Sequence, residues 1–281
     1  MTAITASMVK ELREITGAAM MDCKKALTEC DGDLEESKEF LRKKGQSIAN
    51  KKSSRETKEG AICIEQDGEK VTLVKIACET DFVARNENFT SFIQSIAKQN
   101  IEVEGEDLME KTASGGPIKE QFIEAISKMG ENIVYVEGVY WKAESGSQIG
   151  AYTHSNGKIG VLVELAAKDA KDTEKAKSLA KDIAMHIAAT QVESISENDL
   201  DPSVIQKEKD FLIDQAKDSG KPMNIIEKMV EGRLKKFKKE ICLMDQPFVK
   251  EPDKTIAQII KDAAGDIGES ASVRRFYKSS F

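Results

Sequence analysis

Histidine is scarce in this chain: His154 and His186 are the only two, far apart and in no H-x-x-x-H or H-E arrangement. A hydrolytic triad or a usual metal site would have to draw on that pair, so both chemistries start without support. The five cysteines, Cys23, Cys30, Cys63, Cys78 and Cys242, are an odd number with no C-x-x-C pair. Neither a disulfide framework nor a zinc knuckle follows from them, and each sits among apolar neighbours as a buried reduced thiol would. There is no G-x-x-x-x-G-K-[ST], and no G-x-G-x-x-G after a strand, so no loop is built to cradle phosphates. No cofactor and no bound metal are expected. An excess of basic charge is missing too: 42 Lys and Arg stand against 49 Asp and Glu, for a net of −7. That balance disfavours any role resting on broad phosphate neutralisation, so no direct nucleic-acid ligand is expected. No stretch approaches the roughly 18 uninterrupted apolar residues of a membrane span. Met1 to Ser7 carries no apolar leader segment, and the expectation is a cytoplasmic protein.

What is present suffices for two or more compact units: 281 residues, 40% of them hydrophobic. Residues 1–45 read as three short helices. Thr5 can cap the first, with Met8, Val9, Leu12 and Ile15 as its apolar positions and Gly17 as its end. The second runs from about Ala19 to Cys30 with Met20, Cys23, Leu27 and Cys30 on one stripe. Asp33 with Glu36 three residues on resembles a capping box and opens the third, carrying Leu34, Phe40 and Leu41 to Gly45. Met20 and Met21 lie about 100° apart on a helix, so both cannot point into so small a bundle. One of them is expected at the surface, where a flexible thioether is either harmless or a contact for an apolar patch on a partner. Asp31-Gly32-Asp33 is better explained by capping than as a calcium loop, since its glycine falls at the second position. Residues 46–59 are polar and basic and read as a linker or a solvated helix extension.

The remainder is organised by an internal duplication. Gly60 to Ala77 spells strand, Asp67-Gly68 turn and strand, and Gly150 to Ala166 repeats the plan with Asn156-Gly157 as the turn. An amphipathic helix follows each hairpin, through Phe89, Phe92, Ile93, Ile96 and Ala97 in the first copy and Ala176, Leu179, Ala180, Ile183, Ala184 and Ile187 in the second. His186 falls on that second stripe as a packed helix residue, and His154 in the hairpin. Between Asp201-Pro202 and Lys239, two helical segments interrupted at 218–222 fold back as an antiparallel hairpin, an arm that either packs on its own domain or reaches another protein. Gln246 to Val249 reads as extended chain, Thr255 as a helix cap, and Val273 to Phe276 as a closing strand. The fold class is α+β, divided as a bundle at 1–45, a linker at 46–59, a first core subdomain at 60–140, a second at 141–194 with 241–265, an inserted helical hairpin at 195–240 and a C-terminal segment at 266–281.

The two copies differ at one informative place. After its hairpin the first has Thr80-Asp81-Phe82, and the second has Lys168-Asp169-Ala170, which keeps the carboxylate and lacks the ring. A ring needed to complete a core should have a large apolar twin. Phe82 is therefore a candidate for outward contact, with burial at a strand end as the competing reading.

Thr5-Ala6-Ser7, Leu12-Arg13, Thr16 to Leu27 and Thr80-Asp81-Phe82-Val83-Ala84 together closely resemble the bacterial elongation factor Ts family. Glu231 to Phe237 and Gln246-Pro247-Phe248-Val249 are similar to later motifs of that family, so the resemblance covers nearly the whole chain. It implies a guanine nucleotide exchange factor for elongation factor Tu, a GTPase carrying GDP, and no enzyme. It further implies that a UBA-like three-helix bundle grips the partner through Met20, Met21 and Lys24. Thr80, Asp81, Phe82 and Val83 would then form the segment that displaces the partner's magnesium ion, with Phe82 as wedge. The hairpin would be the coiled-coil arm that supports homodimers in some members. Familiar members continue past Tyr277 to Phe281 into an acidic tail, so a partner contact by that module is not expected here. A generic adaptor using only the bundle, and a metal-assisted hydrolase built on Asp31, Asp33, Glu35 and Glu36, are the competing functions.

Overall fold

A computed structural model of the chain describes residues 3–105, 107–155, 157–217 and 223–281. The expected turn residue Asn156 and the helix breaker at 218–222 lie outside the described residues. The chain divides into two compact units, Met1–Trp141 with Ser155–Lys158 and Ser280–Phe281, and Lys142–His154 with Ile159–Ser279.

The first unit begins with helices α1 (Ala6–Thr16), α2 (Met20–Glu29) and α3 (Leu34–Lys52). Thr5 Oγ1 accepts from the Met8 N–H, and Asp33 Oδ1 accepts from the Glu36 N–H, so both predicted caps satisfy helix-end donors. Gly17 ends α1 at φ 64°, a left-handed turn that glycine adopts without steric cost. Val9, Leu12, Cys23, Ala26 and Leu27 fill the small core between the three helices. Two expected core positions are exposed instead: Ile15 sits at the last turn of α1 and Met20 at the first of α2, each beyond the reach of that core. The third helix runs on through Gly45 to Lys52, so its end lies beyond the expected Gly45 and the first part of 46–59 takes the helix-extension alternative. Gly45 is buried, and a Cβ there would press to 3.3 Å from Ile123, so this glycine allows close packing within a helix and does not stop it.

Strands β1 (Glu59–Asp67) and β2 (Lys70–Cys78) form the expected antiparallel hairpin, in register from Glu59 opposite Cys78 to Asp67 opposite Lys70. The chain continues through α4 (Asp81–Ala84), α5 (Glu87–Glu102), the two-residue strands β3 (Thr112–Ala113) and β4 (Gly116–Pro117), α6 (Ile118–Met129) and β5 (Val134–Lys142). Sheet order is β1-β2-β5. Phe89, Ile93, Ile96 and Ala97 recur at helical spacing on α5 and pack on Val74, Ile76 and Cys78 of the sheet, with Ile118, Phe122 and Ala125 of α6 closing the same core.

In the second unit, β6 (Ser147–His154) and β7 (Ile159–Ala166) pair antiparallel, followed by α7 (Thr173–Ala189), α8 (Pro202–Lys217), α9 (Met223–Ile241), a short pair β8 (Pro247–Phe248) and β9 (Glu251–Thr255), α10 (Ile256–Ile267) and β10 (Ser272–Ser280). Here the sheet order is β10-β7-β6. The closing strand expected at Val273 to Phe276 is β10, longer at both ends, and Val273 joins a core with Val161, Val163 and Ile187. In each unit a hairpin contributes one edge and one central strand, and a strand arriving after the helices completes the other edge. The α8 and α9 helices pack through Leu212, Ala216, Ile226 and Val230. Phe211 and Ile225 stand exposed because each adjoins a residue, Leu212 or Ile226, that already occupies the inward position. Buried His186 accepts from the Val249 N–H on Nδ1 and so donates from Nε2 to Gln246 Oε1 at 2.8 Å.

Candidate partner-binding site

Cys78 ends β2 wholly buried, and four residues later Phe82 is 83% exposed. The turn between them is held by several independent bonds. The Cys78 thiol donates to the Thr80 carbonyl, and Thr80 Oγ1 accepts from the Val83 N–H, capping α4. The Thr80 hydroxyl donates to Glu131 Oε1 at 2.6 Å, and the Glu79 and Thr80 N–H groups donate to Glu131 Oε2 at 3.1 and 3.0 Å. On the inner side Val83 packs against the core and Ala84 is buried within it. Asp81 faces solvent beside Arg85, 3.3 Å away, an exposed pair that leaves the carboxylate open to other partners. The segment therefore fixes its backbone from within and presents a benzyl group and a carboxylate outward.

The second unit treats the corresponding place differently. Lys168 and Asp169 form an exposed turn with no helix, and Ala170 is partly buried against the local core. The small residue is inside and the large one, in the first unit, is outside. Solvation alone would favour the reverse.

The other predicted residues lie on α2. Met20 is 58% and Met21 72% exposed, so both methionines reach solvent where one was expected. Cys23, Ala26 and Leu27 already fill the inward face of that helix. Lys24 is exposed on the same helix. With exposed Ile15 at the end of α1, the bundle bears three large apolar side chains on a short stretch of chain, a composition suited to an apolar patch on another protein. Ile15 was missed because its spacing after Leu12 reads as core. Glu131 was missed because it reaches the Thr80 turn only through the fold.

Catalytic chemistry finds little here. Burial pushes the thiols of Cys63 and Cys78 up to about 12, which keeps both protonated and inert. Among the described residues no group of three or more His, Cys, Asp or Glu is placed to hold a metal ion. Of the acidic residues near 31–36, Asp33 caps α3 and Glu35 pairs with Lys38. Among the described residues no helix is long and apolar enough to cross a membrane.

The family described as Elongation factor TS matches residues 79–278, from the turn after β2 into β10. Elongation factor Ts of Hydrogenovibrio crunogenus is 47% identical over 280 residues, covering 97% of this chain and 90% of that protein. The chain belongs to the elongation factor Ts family. Elongation factor Ts of Alkalilimnicola ehrlichii is 45% identical over 281 residues, with 98% and 91% covered. That of Lawsonia intracellularis is 43% identical over 286 residues, with 98% and 97% covered. Membership in the elongation factor Ts family gives this chain a role in translation elongation.

Proposed function

We propose that the protein is a cytoplasmic guanine nucleotide exchange factor that binds elongation factor Tu and promotes release of its GDP. The observation that carries this reading is Phe82, a large aromatic standing almost fully in solvent on a turn whose backbone is bonded on every side. A ring kept out of its own core at the hydrophobic cost of exposure is suited to enter another protein. Asp81 beside it supplies a negative charge that competes with a nucleotide phosphate for a cation. Thr80 and Val83 hold the pair in place, and the intrusion displaces the partner's magnesium ion.

An exchange factor changes no covalent bond. It binds the nucleotide-free partner better than the loaded one, and linkage makes the penalty mutual. Lowering nucleotide affinity 10⁴-fold requires differential binding of about 5.5 kcal/mol. Burying one phenylalanine supplies about 1.5–3 kcal/mol, so Phe82 needs a second grip. Met20, Met21 and Lys24 on the bundle provide it, and the antiparallel α8–α9 arm is a further surface available for a partner or a second copy. The two core subdomains are sister copies of one plan, of which only the first carries the wedge. The protein acts on protein and makes no direct nucleic-acid contact.

The test is release of a fluorescent GDP from purified elongation factor Tu with and without this protein. Accelerated release at substoichiometric factor is expected, and an unchanged rate over a wide range of factor concentration would refute the reading.

A further inference from the structure

Glu131 lies 51 residues from Thr80 in sequence, yet its carboxylate takes every hydrogen bond that the start of the wedge turn offers it: two backbone N–H groups on Oε2 and a hydroxyl on Oε1. We propose that Glu131 is a positioning residue for nucleotide exchange, holding the Thr80 to Val83 turn so that Phe82 and Asp81 meet the partner in one orientation. The inference rests on the wedge reading of Phe82.

The local geometry explains how a distant residue arrives there. Helix α6 ends at Met129, and Gly130 at φ 76° turns the chain sharply back, aiming residues 131 and 132 at the end of β2. The attachment is reciprocal. While Glu131 accepts from the Glu79 and Thr80 amides, Glu79 Oε1 accepts from the Asn132 N–H at 2.6 Å. Asn132 is buried and donates from Nδ2 to the Arg55 carbonyl at 2.9 Å, and Lys52 donates to the Gly130 carbonyl. Two loops thus exchange carboxylates, and the chain at the end of α3 is bonded to the same knot.

Fold stability alone gives little reason for this arrangement. The Glu79 and Thr80 amides end a strand in a half-exposed place where water could serve them. Two carboxylates are instead brought into one knot, beside the guanidinium of Arg55 at 3.4 Å from Glu79. Hydrogen bonds to an ionised acceptor are about twice as strong as neutral ones and fix direction more tightly. Orientation is what a wedge requires, since a turn free to swing would place its ring in the partner's site only part of the time and lose apparent activity by that fraction.

The test uses the full chain with Glu131→Ala, Glu131→Asp, Glu131→Gln and Phe82→Ala, each measured for release of fluorescent GDP from elongation factor Tu. Glu131→Ala is expected to slow release at saturating factor by about tenfold or more. The half-saturating concentration should stay within about twofold, because the bundle anchor is untouched. Amide exchange in the free protein should speed up at Thr80 and Val83. Glu131→Gln, whose carbonyl can still take both amides while its NH₂ faces the Thr80 hydroxyl, should fall between the alanine variant and the wild type, since it keeps the geometry and loses the charge. Glu131→Asp, too short to reach all three donors, should stay near the alanine variant, and it carries the test if the alanine variant fails to fold. In a Phe82→Ala background, Glu131→Ala should cost clearly less than in the wild-type background, the residual cost being the share carried by Asp81; an undiminished cost would mean that Glu131 does not act through Phe82 and would overturn the positioning role. Wild-type release by the alanine or aspartate variant beside slow release by Phe82→Ala overturns the positioning role and leaves the wedge standing. Wild-type release by Phe82→Ala removes the wedge reading and the role of Glu131 with it.

Discussion

Replacing Phe82 by alanine separates outward function from inward packing, because the two roles predict opposite results. The residue is 83% exposed, while neighbouring Ala84 is buried and Val83 packs on the core. Truncating it should therefore alter unfolding free energy by no more than about 0.5 kcal/mol, the usual range for surface positions. A buried phenylalanine would instead cost about 3–5 kcal/mol. On the proposed wedge role the ring would be buried in the complex. Its loss should remove about 1.5–3 kcal/mol of the preference for nucleotide-free partner, which at 1.36 kcal/mol per decade is a roughly 10- to 150-fold slower release. The assay is stopped-flow release of fluorescent GDP from elongation factor Tu into excess unlabelled GDP, with the factor titrated to saturation. Thermal unfolding of the same variant supplies the second axis. Release at the wild-type rate would refute the wedge, and a fall of many degrees in Tm would return the ring to the core.

Met20→Ala with Met21→Ala should raise the half-saturating concentration while leaving Tm within a few degrees, since both side chains are exposed; an unaltered dissociation constant would exclude the anchor. His186 is held below its ordinary value of 6.5 by burial, against a smaller opposing effect of Gln246, so the fold keeps it neutral while the unfolded chain takes up a proton first. Its contribution to stability is therefore complete above about pH 6.5 and is lost as pH falls from there toward the folded value. Urea unfolding at pH 7.5 and 5.5 should show a drop that narrows in His186→Gln. Gly150→Ala would place a Cβ 2.1 Å from the Ala180 carbonyl carbon and 2.2 Å from the Lys181 nitrogen. Main chain cannot yield cheaply, so calorimetry should show a loss at or beyond the upper end of about 1–3 kcal/mol. Gly232→Ala, on α9 with nothing within 4 Å of the new methyl, should raise stability slightly.

Local rules carried far in this chain wherever the deciding partner is a few residues away. Thr5, Gly17, Asp33 and Thr255 act at the helix ends where their side chains or backbone freedom place them. The strands of both hairpins and the stripes after them follow from alternation and periodicity, with the first turn at Gly68-Glu69, one residue beyond the Asp67-Gly68 expected. Three features did not, each because a distant element decides it. Gly45 reads as a stop until α6 is packed against it. Strand β5, Val134 to Lys142, becomes a sheet edge only once β2 offers hydrogen bonds. Ile15, Phe211 and Ile225 are apolar at helical spacing but have no neighbour to bury them. At the site the pattern is the same. The contrast between Phe82 and Ala170 was visible by comparing the copies, whereas Glu131 carries no periodic or motif signal.

The energies also dictate how the two parts of the site must divide their work. Contacts that the bundle makes equally with loaded and empty partner lower the concentration of factor needed but cannot move the nucleotide equilibrium, because a ligand of equal affinity for two states shifts neither. Only groups that meet the partner differently once GDP leaves contribute to exchange. If the coupling reaches about 5.5 kcal/mol and the ring supplies at most about 3, then roughly 2.5 kcal/mol falls to other contacts of that kind. On the proposed mechanism Asp81 would supply them, since its side chain stands partly exposed next to Phe82, paired only with exposed Arg85 at 3.3 Å among the contacts described. The methionine pair should consequently govern half-saturation and the Thr80 to Val83 segment the saturated rate. Combining the two sets of substitutions should add their effects in free energy within about 0.5 kcal/mol, as independent sites do. A strong departure from additivity would mean that the bundle also changes its grip when nucleotide leaves, and the shortfall would then belong to it.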